Sequence, residues 1–163
     1  MKAPQFDPHF DLLGVDGERH SPASARGDKG LLVMFICNHC PYVKRVIDGI
    51  VRDSRALAPL GIGSIAVMSN DPSDYPEDSF DNMKRVSREK GFPFPYVVDE
   101  TQDVARAYGT VCTPEFFGFN AALELQYHGR FDGLLEAMKQ IAETGKGPKE
   151  QIPSVGCSIK WRK

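Results

Sequence analysis

Hydrophobic positions divide the chain into segments of different period. Gly30 is followed by Leu31-Leu32-Val33-Met34-Phe35-Ile36, an unbroken apolar run of the kind that forms a strand covered on both faces. After Asn38-His39-Cys40-Pro41, apolar residues recur at Val43, Val46, Ile47, Ile50, Val51 and Leu57, with Lys44, Arg45, Asp48, Arg52 and Arg55 between them. That spacing predicts one amphipathic helix, with Pro41 in the first helical position, where a missing N–H costs nothing. Ile62 to Met68 reads as a second strand. Ser79 is placed to cap a helix running to about Lys90, stopped by Gly91 and Pro93. A short strand at Tyr96-Val97-Val98 and a helix from Thr101 to Tyr108, ended by Gly109, come next. Glu115 to Phe119 and Leu123 to Tyr127 predict a hairpin around Asn120-Ala121-Ala122, and Asp132 is expected to cap a last helix from Gly133 to Thr144. Alternating strands and helices, closed by a hairpin and helix, specify an α/β sandwich with a mixed central sheet.

Length and composition narrow the picture. The chain has 163 residues, the size of one domain, and buries roughly 70% of its unfolded surface without disulfide or metal staples. Residues 1–29 read as an extended N-terminal segment with turns, and residues 145–163 as a Gly- and Pro-rich tail. Twenty Lys and Arg against 22 Asp and Glu leave a net charge of -2, and the only basic stripe is Lys160 to Lys163. Nucleic-acid binding by charge is therefore not expected. Met1-Lys2-Ala3-Pro4-Gln5-Phe6-Asp7 lacks the apolar core of a signal peptide, and Leu31 to Cys37, the longest apolar run, is only seven residues. A soluble, cytoplasmic protein with no membrane partner is the expectation.

The cysteines, at 37, 40, 112 and 157, change the picture most. Four are too few for a stapled scaffold, and in a compartment that keeps thiols reduced a C-x-x-C pair points to redox chemistry or a metal. Cys40 falls at the start of the predicted helix, where unpaired N–H groups and the helix dipole favour the thiolate. His39 and Lys44 add charge nearby. Taken alone, Cys40 is also compatible with a small apolar residue packed at a helix end. Metal binding or delivery by Cys37, His39 and Cys40 with Cys112 or Cys157 is the reading from another class. It lacks a second C-x-x-C or an H-x-x-x-H, and the later cysteines lie 72 and 117 residues beyond Cys40. His9, His20 and His128 show no paired spacing. Asn70 sits at the carboxyl end of a central strand, the edge at which open α/β sheets bind ligands, although Asn there also forms turns.

Several motifs occur together in order: Cys37-Asn38-His39-Cys40-Pro41-Tyr42-Val43, Ser69-Asn70-Asp71, Phe94-Pro95-Tyr96, Asp99-Glu100-Thr101-Gln102, Thr113-Pro114-Glu115-Phe116-Phe117, and the tail Pro153 to Trp161. Through them most of the chain resembles the thioredoxin-like superfamily, in its peroxiredoxin-like branch of alkyl hydroperoxide reductase and thiol-specific antioxidant type. The resemblance implies a three-layer sandwich with helices on both faces of the sheet. It also implies a displaced register: Phe35 lies five residues before Cys40, so Cys40 takes the nucleophile position and Cys37 lies upstream on the loop. Val43 stands where a thioredoxin has its resolving cysteine, and Met34 where it carries a buried acid. Peroxiredoxins place Thr or Ser three residues before the peroxidatic cysteine; Cys37 is there instead. For their transition-state arginine only Arg106 and Arg130 offer themselves. The segment from Arg130 to Leu135 is shorter than in that branch, so a loop on that side is expected to be missing.

Thr113-Pro114 resembles the cis-proline turn that faces the cysteines in this fold and offers backbone hydrogen bonds to a partner strand; an ordinary trans turn is the plainer alternative. Cys112 is a candidate neighbour of Cys40 or a core residue, and Cys157 a candidate resolving thiol or a packing residue beside Ile159 and Trp161. The function these features imply is thiol-disulfide exchange through Cys40 and Cys37, supported by His39, Pro41, Thr113, Pro114 and Asn70. The partners are a protein or small-molecule disulfide, or a hydroperoxide, and a thiol reductant; no cofactor and no metal are implied. A cycle through a Cys40 sulfenic acid is the close variant, and a binding module without turnover the remaining one.

Overall fold

The computed structural model describes residues 8–163; the expectation for Met1 to Asp7 lies outside them. Seven strands form one mixed sheet. In chain order they are β1 (Leu12–Gly14), β2 (Arg19–His20), β3 (Gly30–Phe35), β4 (Ile62–Met68), β5 (Tyr96–Val98), β7 (Glu115–Asn120) and β8 (Leu125–Gly129). Their spatial order is β2-β1-β5-β4-β3-β7-β8. β3, β4 and β5 run parallel, while β7 pairs antiparallel with β3 and β8 antiparallel with β7. Two further strands, β6 (Cys112–Thr113) and β9 (Cys157–Ser158), form a separate antiparallel pair.

The central strand shows why its run is unbroken. Leu32, Met34 and Ile36 face one core, which they share with α2 (Pro41–Leu57), α3 (Phe80–Lys90) and α5 (Leu134–Thr144). Leu31, Val33 and Phe35 face the other, with Ala105 and Tyr108 of α4 (Asp103–Tyr108). With period 2 and helices on both sides, every position must be apolar. The expected three-layer α/β sandwich is therefore present. α2 buries Val43, Ile47, Ile50, Val51 and Leu57 along one stripe, each worth about 1.5–3 kcal/mol for full burial. That packing fixes the direction of the helix, and with it the place of its first residue. Among the described residues no helix is long and apolar enough to cross a membrane.

The sequence reading shifts at element ends. α3 begins as expected, with Ser79 accepting from the Asn82 amide, and ends at left-handed Gly91. α5 is not capped by Asp132: Gly133 holds the N-cap position at φ 85, a conformation that suits glycine. Gln102 precedes α4 at φ 68, so that helix starts at Asp103 rather than Thr101. Leu123 has φ 59, which breaks the expected start of β8 and moves it to Leu125. In the N-terminal segment, Pro22–Ala25 forms a short helix, α1, through a reciprocal Ser21–Ser24 capping box. Beside the short Arg130–Leu134 connection lies the tail, with Arg130 N donating to Ile152 O (3.0 Å) and Ser154 Oγ to Gly129 O (2.6 Å).

Candidate active site at the start of α2

β3 ends at Phe35, and five residues later α2 starts. Cys40 is the N-cap residue, with extended backbone, and Pro41 occupies the first turn. Cys37 and Cys40 are 3% and 0% exposed, so both sulfurs lie beneath other chain. All four cysteines are free thiols. The Thr113–Pro114 bond is cis, as expected, and this turn closes over the pair. Cys37 Sγ lies 3.4 Å from Thr113 Oγ1, and Cys40 Sγ lies 3.5 Å from Thr113 O. Thr113, Pro114, Cys37 and Cys40 are thus brought together.

The surroundings bias the two thiols in opposite directions. Cys40 is driven well below the ordinary thiol range, first by the adjacent Cys37 thiol, which stabilises its charge; burial opposes this, and the Cys157 thiol and the amides of Val43 and Cys157 reinforce it. It makes no capping bond to the first turn, so the helix acts on it electrostatically. Cys37 is driven upward, first by its bond to Cys40, then by burial and by the charge of Asp78. A thiol biased toward the thiolate beside one that keeps its proton can supply a nucleophile and a proton-carrying partner.

Sequence reasoning missed Asp78, which is fully buried and organises the C-x-x-C loop. Its Oδ1 accepts from the amides of Asn38 (2.7 Å) and His39 (3.2 Å). Its Oδ2 meets His39 Nδ1 and accepts from Asn70 Nδ2 at 3.0 Å. The position where a thioredoxin carries its acid is filled by Met34, yet Asp78 supplies a buried carboxylate to Cys37 from another element. No local pattern announces it; only Pro76-Glu77-Asp78-Ser79 before a helix hints at an ordered turn. Asn38 is fastened as well, by Tyr96 Oη at 2.9 Å and Glu77 O at 2.8 Å.

His39 stacks on Tyr75 with ring centroids 4.4 Å apart. Its pairing with Asp78 directs the ring to that carboxylate, so it is a loop-fixing residue rather than a charge aimed at Cys40. Asn70 likewise spends its amide on Asp78 and on Lys160 N (2.9 Å). Cys37, His39 and Asp78 bring potential ligand atoms within 4.8 Å of one another. For a metal, however, Asp78 would have to give up hydrogen bonds that it already accepts from four donors, so the set fits a hydrogen-bonded loop better than an ion.

Cys112 does not join the pair. It is half-buried on β6, donates to Glu115 Oε1 at 3.7 Å, and is pushed up to about 12 by burial and the Glu115 charge. Glu115 is itself buried, bonded by Thr110 Oγ1 at 2.5 Å and facing His128 at 3.4 Å. Cys157 does approach Cys40, because the tail folds back as β9. Burial, then the Cys40 interaction, raises its thiol, and the Tyr42 amide opposes this. The two arginines are committed elsewhere: Arg106 stacks over Trp161 at 4.9 Å and Arg130 donates to Pro153 O at 3.2 Å.

Comparison with known proteins agrees with this geometry. No curated protein matches the chain. An uncharacterized conserved protein from Geobacillus kaustophilus is 40% identical, with a TM-score of 0.92 over 98% of this chain and 93% of its own. A hypothetical protein from Sinorhizobium meliloti 1021 is 30% identical, with a TM-score of 0.93 over 99% and 96%. A thioredoxin family thiol:disulfide interchange protein from Chlorobium tepidum TLS shares the fold at 21% identity, with a TM-score of 0.69 over 88% and 97%. The AhpC/TSA family model matches residues 2–129, a span that holds β3, the C-x-x-C loop, Asp78 and the cis-proline turn. The chain belongs to the AhpC/TSA family and is a thiol-dependent oxidoreductase of thioredoxin-like fold.

Proposed function

We propose that the protein exchanges thiols and disulfides through Cys40 as nucleophile and Cys37 as resolving thiol. The observation that carries this is the C-x-x-C pair itself, with Cys40 at the N-cap of α2 and both sulfurs under the cis Thr113–Pro114 turn. Cys40 attacks one sulfur of a substrate disulfide, a mixed disulfide forms, and the other substrate sulfur leaves as a thiol. Cys37 then gives up its proton to the second leaving sulfur and attacks Cys40 Sγ. The Cys37–Cys40 disulfide results, and a thiol reductant restores both. Asp78, whose charge acts on Cys37, is placed to influence that deprotonation, while Thr113 orients Cys37 through its hydroxyl.

Family membership and the closed site favour a second substrate for the same residues. With a hydroperoxide, Cys40 attacks the terminal oxygen, water or an alcohol leaves, and Cys37 condenses with the sulfenic acid, expelling water. Arg106 and Arg130 lie in other contacts, and that weighs against rapid peroxide turnover. The setting proposed for either cycle is the cytoplasm, where thiols are kept reduced.

Reduced protein mixed with hydrogen peroxide or with insulin, following free thiols, tests both cycles. Cys40→Ser is expected to react with neither; a variant as fast as the parent in both assays would overturn the mechanism. Metal analysis of protein purified without chelator addresses the metal reading. Stoichiometric zinc or copper that disappears in Cys40→Ser would replace the redox reading with metal binding.

A further inference from the structure

The cis-proline turn is already occupied by a strand. β9 pairs antiparallel with β6, placing Cys157 opposite Thr113 and Ser158 opposite Cys112, and Ile159 N donates to Val111 O at 2.9 Å. An extended partner adding to an exposed edge makes these same main-chain bonds. The sulfur this strand carries stands beside Cys40. Gly156 passes so close to the Thr113 carbonyl that a Cβ there would overlap it. The strand is tied down beyond the site too: Asp71 N donates to Lys160 O (2.7 Å), Gln102 Nε2 to Lys160 O (2.8 Å), and Arg162 N to Gln102 Oε1 (2.9 Å). With this cover in place Cys40 has no exposed surface.

We propose that residues 156–160 are a self-docked substrate strand: the Val111–Thr113 edge and the start of α2 form a groove for an extended, cysteine-bearing polypeptide, held in this chain by its own tail, with Cys157 in the place of the substrate sulfur. The consequence is a choice of substrate class. While the tail is docked it competes with polypeptide disulfides for this groove, whereas a small disulfide needs only a local opening over Cys40. This rests on Cys40 being the nucleophile. After Cys40 attacks a small disulfide, Cys157 is a second thiol within reach of the Cys40 mixed disulfide. It attacks Cys40 Sγ, the Cys157–Cys40 bond forms, the bond from Cys40 to the substrate sulfur breaks, and the released sulfur takes the proton from Cys157.

The test uses oxidised glutathione as the small disulfide and insulin as the polypeptide one, on the full chain. Gly156→Val wedges the strand away from Thr113. It is expected to raise the rate with insulin about fivefold or more, as loss of one or two strand hydrogen bonds allows, and to change the rate with oxidised glutathione less than about twofold. Limited proteolysis shows whether the tail has been freed. A freed tail with an unchanged insulin-to-glutathione rate ratio overturns the proposal. In Cys37→Ser, oxidised glutathione is expected to leave a Cys40–Cys157 disulfide with both glutathiones released, mapped by peptide mass spectrometry. A stable Cys40–glutathione adduct with Cys157 free overturns it, and this arm stands even if Gly156→Val does not fold. If neither probe reacts with any form, the Cys40 nucleophile itself falls, and this proposal with it.

Discussion

Two cysteines flank the same cis-proline turn and are driven in opposite directions. The neighbours of Cys40 favour its charged form, the Cys37 thiol most, with the Cys157 thiol and the amides of Val43 and Cys157 in support. Cys112, two residues before Pro114, faces the buried Glu115 carboxylate, which accepts its proton and repels its charge. Both are removed from water, which on its own favours the neutral thiol. Burial raises both thiols, first of all at Cys112, and it is the sign of their neighbours that turns the two in opposite directions.

That contrast can be broken at its centre first. Cys40→Ser should lower disulfide exchange by a factor on the order of a thousand or more, since no other sulfur shares its setting; the rate of oxidised glutathione reduction measures it. Cys37→Ala removes the largest stabilising neighbour, so the Cys40 inflection should rise toward the ordinary thiol value. The ultraviolet absorbance of the thiolate, followed against pH, reports it. A depressed thiol favours the folded state above its folded value, fully so above the unfolded value. The reduced parent should therefore gain stability over Cys40→Ser as pH rises through the interval between those two values. Urea unfolding at several pH values gives the slope, and a difference that shrinks with rising pH would contradict the assignment.

Smaller effects sharpen the same comparison. Asp78→Asn withdraws a carboxylate that four donors share, and should cost about 1–3 kcal/mol in urea unfolding. The same change removes the charge that raises Cys37, so the Cys37 thiol should shift downward. Glu115→Gln leaves Cys112 buried but lifts the repulsion, and should bring its thiol down toward the ordinary range, seen as faster alkylation of Cys112 at alkaline pH. If Cys112 alkylates no faster, burial alone governs that thiol.

The legible parts of this molecule were those whose cause is local. β3 announces itself because each of its residues must be apolar, and α2 because its stripe has one period and Pro41 marks its start. The displaced register that puts Cys40 at the helix mouth follows from counting from Phe35. Asp78 could not be read, since its partners Asn38, His39 and Asn70 come from other loops and nothing near it has a period. The fold-back of Cys157 was one of two readings of that residue, and two residues of strand inside a Gly- and Pro-rich tail carry no alternation to decide between them. The starts of α4 and α5 also escaped, because Gln102 and Gly133 take left-handed conformations in place of side-chain caps.

Trp161 is the only tryptophan in the chain and lies on the tail, under the Arg106 guanidinium of α4. Its indole emission depends on that cationic neighbour, which a tail lifted from its groove no longer supplies. The molecule thus carries an intrinsic optical gauge of strand docking, readable without a label and in the same cuvette as the chemistry.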